Sequence, residues 1–175
     1  NFKNEIFSIG DCSQDSNIRP NSNQEKLDSL KLAFDQNGTV TAATSSPLTD
    51  GAAATLICEE QYAKDNNLEI LGRIVSTSVQ GCKADTMGLG PIGATQKALA
   101  RAKLSIKDID IVELNEAFAS QSLACIKDLQ IDPSKVNLDG GALALGHPLG
   151  ATGARITGKA VSYTHLTLPT NIGVE

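Results

Sequence analysis

Tryptophan is missing from this chain, and aromatic residues make up only 3% of its 175 positions. Packing therefore falls to small and aliphatic side chains, which implies backbones that approach one another closely. No C-x-x-C pair occurs either: Cys12, Cys58, Cys82 and Cys125 are scattered along the chain. That spacing leaves zinc and dithiol redox motifs unsupported and makes reduced, mostly buried thiols the expectation. No apolar run reaches about 18 residues, so no membrane span is expected, and the first residues lack the pattern of a signal peptide. Positive charge is in deficit, with 15 Lys and Arg against 20 Asp and Glu and a net charge of −5. This argues against a nucleic-acid partner, and an anionic ligand would need local donors. The chain begins with Asn1 rather than Met, and it is expected to be a fragment.

The remainder is ordinary for an α/β protein, at 41% hydrophobic and 20% charged. The length suffices for one good core. Residues 1–48 are loop-rich, with a short helix-compatible piece at 24–34, a turn at Asn37-Gly38 and a strand-favouring 39–41. The apolar run 52–58 suits a buried strand, and 59–67 a helix. Strands are then expected at 71–79, 109–114 and 141–145, alternating with helices at 91–103, 116–129 and 150–161. Pro91 stands at the start of the second of these four helices. Such alternation predicts a layered α/β domain.

Two glycine motifs fail as phosphate sites. Gly88-Leu-Gly90-Pro-Ile-Gly93 has the dinucleotide spacing. However, polar residues 80–86 separate it from the preceding strand, and Pro91 removes a donor, so a structural turn into a helix is expected. Residues 153–160 miss the P-loop pattern because Ala160 stands where a Ser or Thr would hold Mg²⁺. Asn115-Glu116 lies where a strand should give way to a helix. There Asn115 reads either as an N-cap or as an amide that holds a water or a substrate oxygen. Glu116 reads as a first-turn acid favoured by the helix dipole.

The most informative stretch is 137–153, Asn-Leu-Asp-Gly-Gly-Ala-Leu-Ala-Leu-Gly-His147-Pro148-Leu-Gly-Ala-Thr-Gly, with five glycines. Gly146 and Pro148 hold His147 in a constrained turn just before a helix. Histidine's ordinary pKa suits it to proton transfer near neutral pH. His165 has no comparable setting.

Asn115-Glu-Ala-Phe-Ala119, Asn137-x-x-Gly140-Gly141 and Gly146-His147-Pro148-x-Gly150-x-Thr152-Gly153 together resemble the C-terminal half of a thiolase, an acetyl-CoA C-acyltransferase. Residues 37–42, Ser45 to Ala54 and Met87 to Pro91 agree, so the resemblance runs from residue 1 to about Lys159. It implies the thiolase fold: two similar layered α/β/α halves with mixed sheets, here incomplete because most of the N-terminal half is absent. Residues 1–48 resemble the end of a loop domain, 49–70 the last part of the N-terminal half, and 71–161 the C-terminal domain. Residues 162–175 are expected to be a non-native tail, since the small-residue helical character of 150–160 stops abruptly.

The implied activity is ping-pong acyl transfer between coenzyme A thioesters, as 3-ketoacyl-CoA thiolysis or acetyl-CoA condensation, within fatty acid metabolism. By resemblance His147 activates a nucleophilic Cys and helps bind the thioester oxygen. Asn115 positions a water in an oxyanion hole. Ser46 and Met87 line the pantetheine arm, and Arg19 lies near the nucleotide end of CoA. No metal and no permanently bound cofactor are implied; acyl-CoA and CoA are the partners, in a homo-oligomer (dimer or tetramer). The expected location is cytoplasmic, or an organellar matrix in a eukaryote. Neither catalytic Cys motif of the family stands in this sequence, so the chain alone is expected to be inactive. The competing reading is a non-catalytic acyl-CoA or lipid-binding member of the fold, against which the intact His147 and Asn115 motifs argue.

Overall fold

The computed structural model describes residues 5–167. Among them run six α-helices: α1 (Gln24–Asp28), α2 (Glu60–Asp65), α3 (Gly90–Ala102), α4 (Ala119–Asp128), α5 (Ala142–Leu145) and α6 (Leu149–Thr167). Short 3-10 turns at Ala42–Thr44, Ala84–Leu89, Ile106–Asp108 and Pro133–Lys135 join them.

Local chemistry accounts for most of the boundaries. Asn23 caps α1, its side chain accepting from the Lys26 amide. Pro91 occupies the first turn of α3, where a missing N–H costs nothing, and Lys103 ends that helix in the left-handed region at φ 57°. The 88–93 glycine motif forms the entry into α3. A Cβ on Gly88 would come within 2.7 Å of Gln121 on α4, and one on Gly93 within 2.8 Å of Gln80. These glycines allow close approach between segments.

Four expectations need correction. Residues 141–145, expected as a strand, form α5 between Gly141 and Gly146, since Ala142-Leu-Ala-Leu145 is built of strong helix formers. The N-cap of α4 is Phe118, not Asn115, so Asn115 and Glu116 both precede the helix. The helix expected over 150–161 continues to Thr167 as α6; residues 168–175 lie outside the described residues. Finally, the cysteines are mostly exposed: Cys12, Cys58 and Cys82 are open to solvent and only Cys125 is buried.

The expected strands are also absent as ladders. Pairing among the described residues is limited to isolated bridges, Leu32 with Thr41, Ser45 with Phe118, Val112 with Val136 and Ile9 with Cys12. A strand exists only through a partner's hydrogen bonds, and the runs at 52–58 and 71–79 have none here. Their apolar side chains stand in solvent, including Leu56, Ile57, Ile74, Val75 and Val79. The core is small: Ala63, Cys125, Leu129, Ile131, Ala142 and Ala151.

The chain exposes 13083 Å², whereas a compact 18.3 kDa protein exposes about 8,100 Å². Many large hydrophobic side chains are exposed on this chain, surface of the kind that drives association. Purified alone, the chain is expected to bind a hydrophobic dye and to elute as an assembly in size-exclusion chromatography. A monodisperse monomer with a sharp melt would contradict this.

Candidate active site

Asn137 organises the first wall of the site. Its own backbone sits at φ 47°, a conformation that Asn tolerates better than most residues. This turns its side chain to act as a strand partner for Leu114. Asn137 Oδ1 accepts from the Leu114 amide at 2.8 Å, and Nδ2 donates to the Leu114 carbonyl at 2.8 Å. The main chain continues the pairing: the Asn137 amide donates to Val112 O and the Val112 amide to Lys135 O, each at 2.9 Å.

Glu116 ties this wall to α5. One carboxylate oxygen accepts from Asn137 Nδ2 at 2.7 Å and the other from the Leu143 amide at 3.0 Å. A Cβ on Gly141 would fall 2.2 Å from that carboxylate, so any larger residue there would push Glu116 out of these bonds. Asn115, between Leu114 and Glu116, is thereby held on both sides. Sequence reading missed this role for Glu116. The available signal was its place directly after Asn115 at the end of the run 109–114.

The second wall is the Gly146-His147-Pro148 turn. Gly146 lies at φ 95° and ψ 165°, a region essentially reserved for glycine, and a Cβ there would meet Thr49 Oγ1 at 2.3 Å. Thr49 Oγ1 accepts from the His147 amide at 3.1 Å and donates to Pro47 O at 2.7 Å. The segment 46–51 thus lies directly against the histidine turn.

Here the two motifs meet. Asn115 Nδ2 lies 3.3 Å from His147 Nε2, and His147 Nδ1 lies 2.7 Å from Thr152 Oγ1. Asn115 Oδ1 is buried and makes no hydrogen bond with any described residue, which leaves an acceptor available beside the imidazole.

The other expected residues are placed less tightly. Ser46 adjoins the site: its amide donates to Ala117 O at 3.1 Å and its hydroxyl to the same oxygen at 3.3 Å. Met87 is exposed at the turn before α3, and its carbonyl accepts the Gly90 amide. Arg19 is exposed in the N-terminal loop region. No hydrogen bond or ion pair among the described residues joins Met87 or Arg19 to the Asn115–His147 pair. His165, far along α6, faces the Leu71 carbonyl at 2.5 Å. Cys125 donates to Gly88 O at 3.4 Å, and burial pushes its thiol pKa up, away from the reactive thiolate.

Behind the site, Lys159 on α6 pairs with Asp139 and Glu5, both at 2.7 Å. Burial works against the Lys159 ammonium, but hydrogen bonds and attraction from Asp139 and Glu5 outweigh it and raise its pKa. Nearby, burial pushes the Glu113 carboxyl up against the opposing pull of Arg155 and Lys159. Among the described residues no three His, Cys, Asp or Glu side chains group as a metal site, and no helix is long and apolar enough to cross a membrane.

An imidazole beside an amide suits proton transfer, and the chain as a whole is similar to known proteins. Residues 68–168 match the thiolase C-terminal domain, and residues 1–61 the thiolase N-terminal domain. The 3-ketoacyl-CoA thiolase of Shewanella sp. (strain W3-18-1) is 57% identical over 148 residues, which cover 82% of this chain and 38% of that protein. The crystal structure of human mitochondrial 3-ketoacyl-CoA thiolase in complex with CoA superposes with a TM-score of 0.81 at 44% identity, over 87% of this chain and 39% of the human one. The dimeric peroxisomal thiolase of Saccharomyces cerevisiae gives a TM-score of 0.82 at 45% identity, over 86% and 38%. The chain thus spans under two fifths of the length of these relatives. It has the thiolase fold over the shared stretch, and with the C-terminal domain profile covering more than half of its residues, this chain belongs to the thiolase family.

Proposed function

We propose that these residues form the His and Asn portion of a thiolase active site that transfers acyl groups between coenzyme A thioesters, by thiolysis of 3-ketoacyl-CoA or condensation of acetyl-CoA. The observation that carries this reading is the approach of Asn115 Nδ2 to His147 Nε2 at 3.3 Å across 32 residues of sequence. In this reading His147 takes the proton of a cysteine thiol, which then attacks the thioester carbonyl. Negative charge develops on the carbonyl oxygen. Asn115 meets it through a water: the buried Oδ1 accepts one water proton and leaves the other to donate to the oxyanion. The acyl group passes from that cysteine to the second acceptor, and His147 serves both half-reactions.

Both cysteines belong to family motifs that this sequence does not contain. Consistent with that, the cysteine thiols among the described residues donate to Gln14 O, Met87 O and Gly88 O, and Cys125 Sγ accepts from Gln121 Nε2; none bonds His147. Ser46, beside Asn115-Glu-Ala-Phe118, and Met87 would contact the pantetheine arm, and Arg19 the nucleotide phosphates. A homodimer is the proposed assembly, by analogy with the yeast relative.

The test is a chimera. The matched 148-residue stretch of the Shewanella sp. (strain W3-18-1) enzyme is replaced by its counterpart from this chain, and acetoacetyl-CoA thiolysis is followed. Turnover is the expected result. A folded chimera without turnover would overturn the proposal.

A further inference from the structure

We propose that Thr152 is a positioning residue that fixes His147 as the Nδ1–H tautomer, so that the Nε2 lone pair, which here accepts from Asn115 Nδ2, becomes the base when a thiol takes that donor's place. This rests on His147 being the base, but the tautomer itself follows from the hydrogen bonds around the ring.

Thr152 Oγ1 has two close polar neighbours. One is the Pro148 carbonyl oxygen at 3.0 Å; the other is His147 Nδ1 at 2.7 Å. A carbonyl can only accept, whereas a hydroxyl has one proton to give. If that proton pointed at Nδ1, the hydroxyl and carbonyl oxygens would face each other lone pair to lone pair at 3.0 Å. With the proton on Pro148 O, as one turn of helix favours for Thr, the hydroxyl lone pair accepts from Nδ1–H.

The far side of the ring agrees. A neutral imidazole protonated at Nδ1 has a bare Nε2, and the group facing it at 3.3 Å is the Asn115 amide nitrogen, a donor. The result is a one-way chain of donors: Asn115 Nδ2 to His147 Nε2, His147 Nδ1 to Thr152 Oγ1, and Thr152 Oγ1 to Pro148 O. The two assignments go together, because the opposite tautomer would set Nε2–H against the NH₂. The buried Asn115 Oδ1 is thereby turned away from the ring, free to accept. Thr152 is itself buried, at 4% exposure, so water does not compete for this hydroxyl.

The tautomer can be read directly. The untagged chain carrying His165→Gln, which leaves His147 as its single histidine, is labelled with ¹⁵N-histidine. It is examined by magic-angle-spinning NMR, which tolerates self-association, at about pH 9, above the ordinary histidine range. The expected spectrum has a pyrrole-type Nδ1 and a pyridine-type Nε2. Thr152→Ser keeps that pattern, while the near-isosteric Thr152→Val inverts or mixes it. A wild-type ring protonated at Nε2, or an unchanged pattern in Thr152→Val, overturns the inference. In the active chimera Thr152→Val should lower kcat by at least about tenfold with little change in KM, and Thr152→Ser should restore it. An inactive chimera with the expected spectrum would remove the proposed function and leave the tautomer assignment standing.

Discussion

His147→Ala in the chimeric thiolase is expected to lower kcat by about 10²–10⁴-fold, the usual worth of a positioned general base, while KM for the CoA substrate changes little. The imidazole sits within a fixed frame. Its amide is held by Thr49, Nδ1 faces Thr152 and Nε2 faces Asn115. Removing the ring leaves that frame standing, so the loss should appear in the chemical step rather than in binding. Steady-state thiolysis at several CoA concentrations separates the two. A fall in kcat of less than tenfold, or one confined to KM, would show that His147 is not the base.

Lys159→Met in the same chimera is expected to cost about 3–5 kcal/mol of stability, the usual penalty for breaking a buried ion pair on one side. The Lys159 side chain is 7% exposed and that of Asp139 only 2%. Replacing the ammonium with a thioether leaves the Asp139 carboxylate buried without this counter-charge. The double variant Lys159→Met, Asp139→Asn should recover part of the loss, because it removes the stranded charge. Wild-type stability should respond to alkali in the same sense. The pKa of Lys159 is raised in the folded protein, so its contribution is fully present below the ordinary lysine pKa and is lost as pH rises through the folded value. Chemical denaturation of the chimera and its variants at neutral and alkaline pH checks both statements. A Lys159→Met midpoint equal to wild type would refute the first.

These two variants probe one design. Asp139 follows closely on Asn137, and Lys159 lies ten residues into the helix that begins just after His147. Their pairing clamps α6 to the loop whose Asn137 and Glu116 contacts hold Asn115. The distance between Asn115 and His147 is therefore set from behind by a salt bridge and from the side by Thr49 and Gly146.

Much of this was legible in sequence, unevenly. Helix α3 was read close to its bounds, because Pro91 marks a start, while apolar spacing located α4 but placed its start three residues early. Helix α6 was read correctly at its start but too short at its end. The expected strands form no ladder among the described residues, for a different reason. Residues 52–58 and 71–79 have strand-like composition, but a strand needs hydrogen-bonding neighbours, which local composition cannot supply. Residues 142–145 were mistaken because a short apolar run has no periodicity to read, and there the helix propensity of Ala and Leu decides. Asn115 was left between an N-cap and a site amide, and Glu116 was read as a first-turn acid, since a polar pair after an apolar run looks the same whether it caps a helix or faces a site.

By itself the sequence determined the family. Asn115-Glu-Ala-Phe and Gly146-His147-Pro148 are local patterns, and the glycine at 146 is needed by a backbone angle that no other residue adopts easily. Only the tertiary structure decided which groups meet. It set Thr152 on one imidazole nitrogen and Asn115 on the other, gave Glu116 two donors to hold, and put Thr49 under the histidine turn. Those contacts join residues as far as 98 positions apart. Hydrogen bonds depend on distance and direction in space, which a linear pattern does not encode.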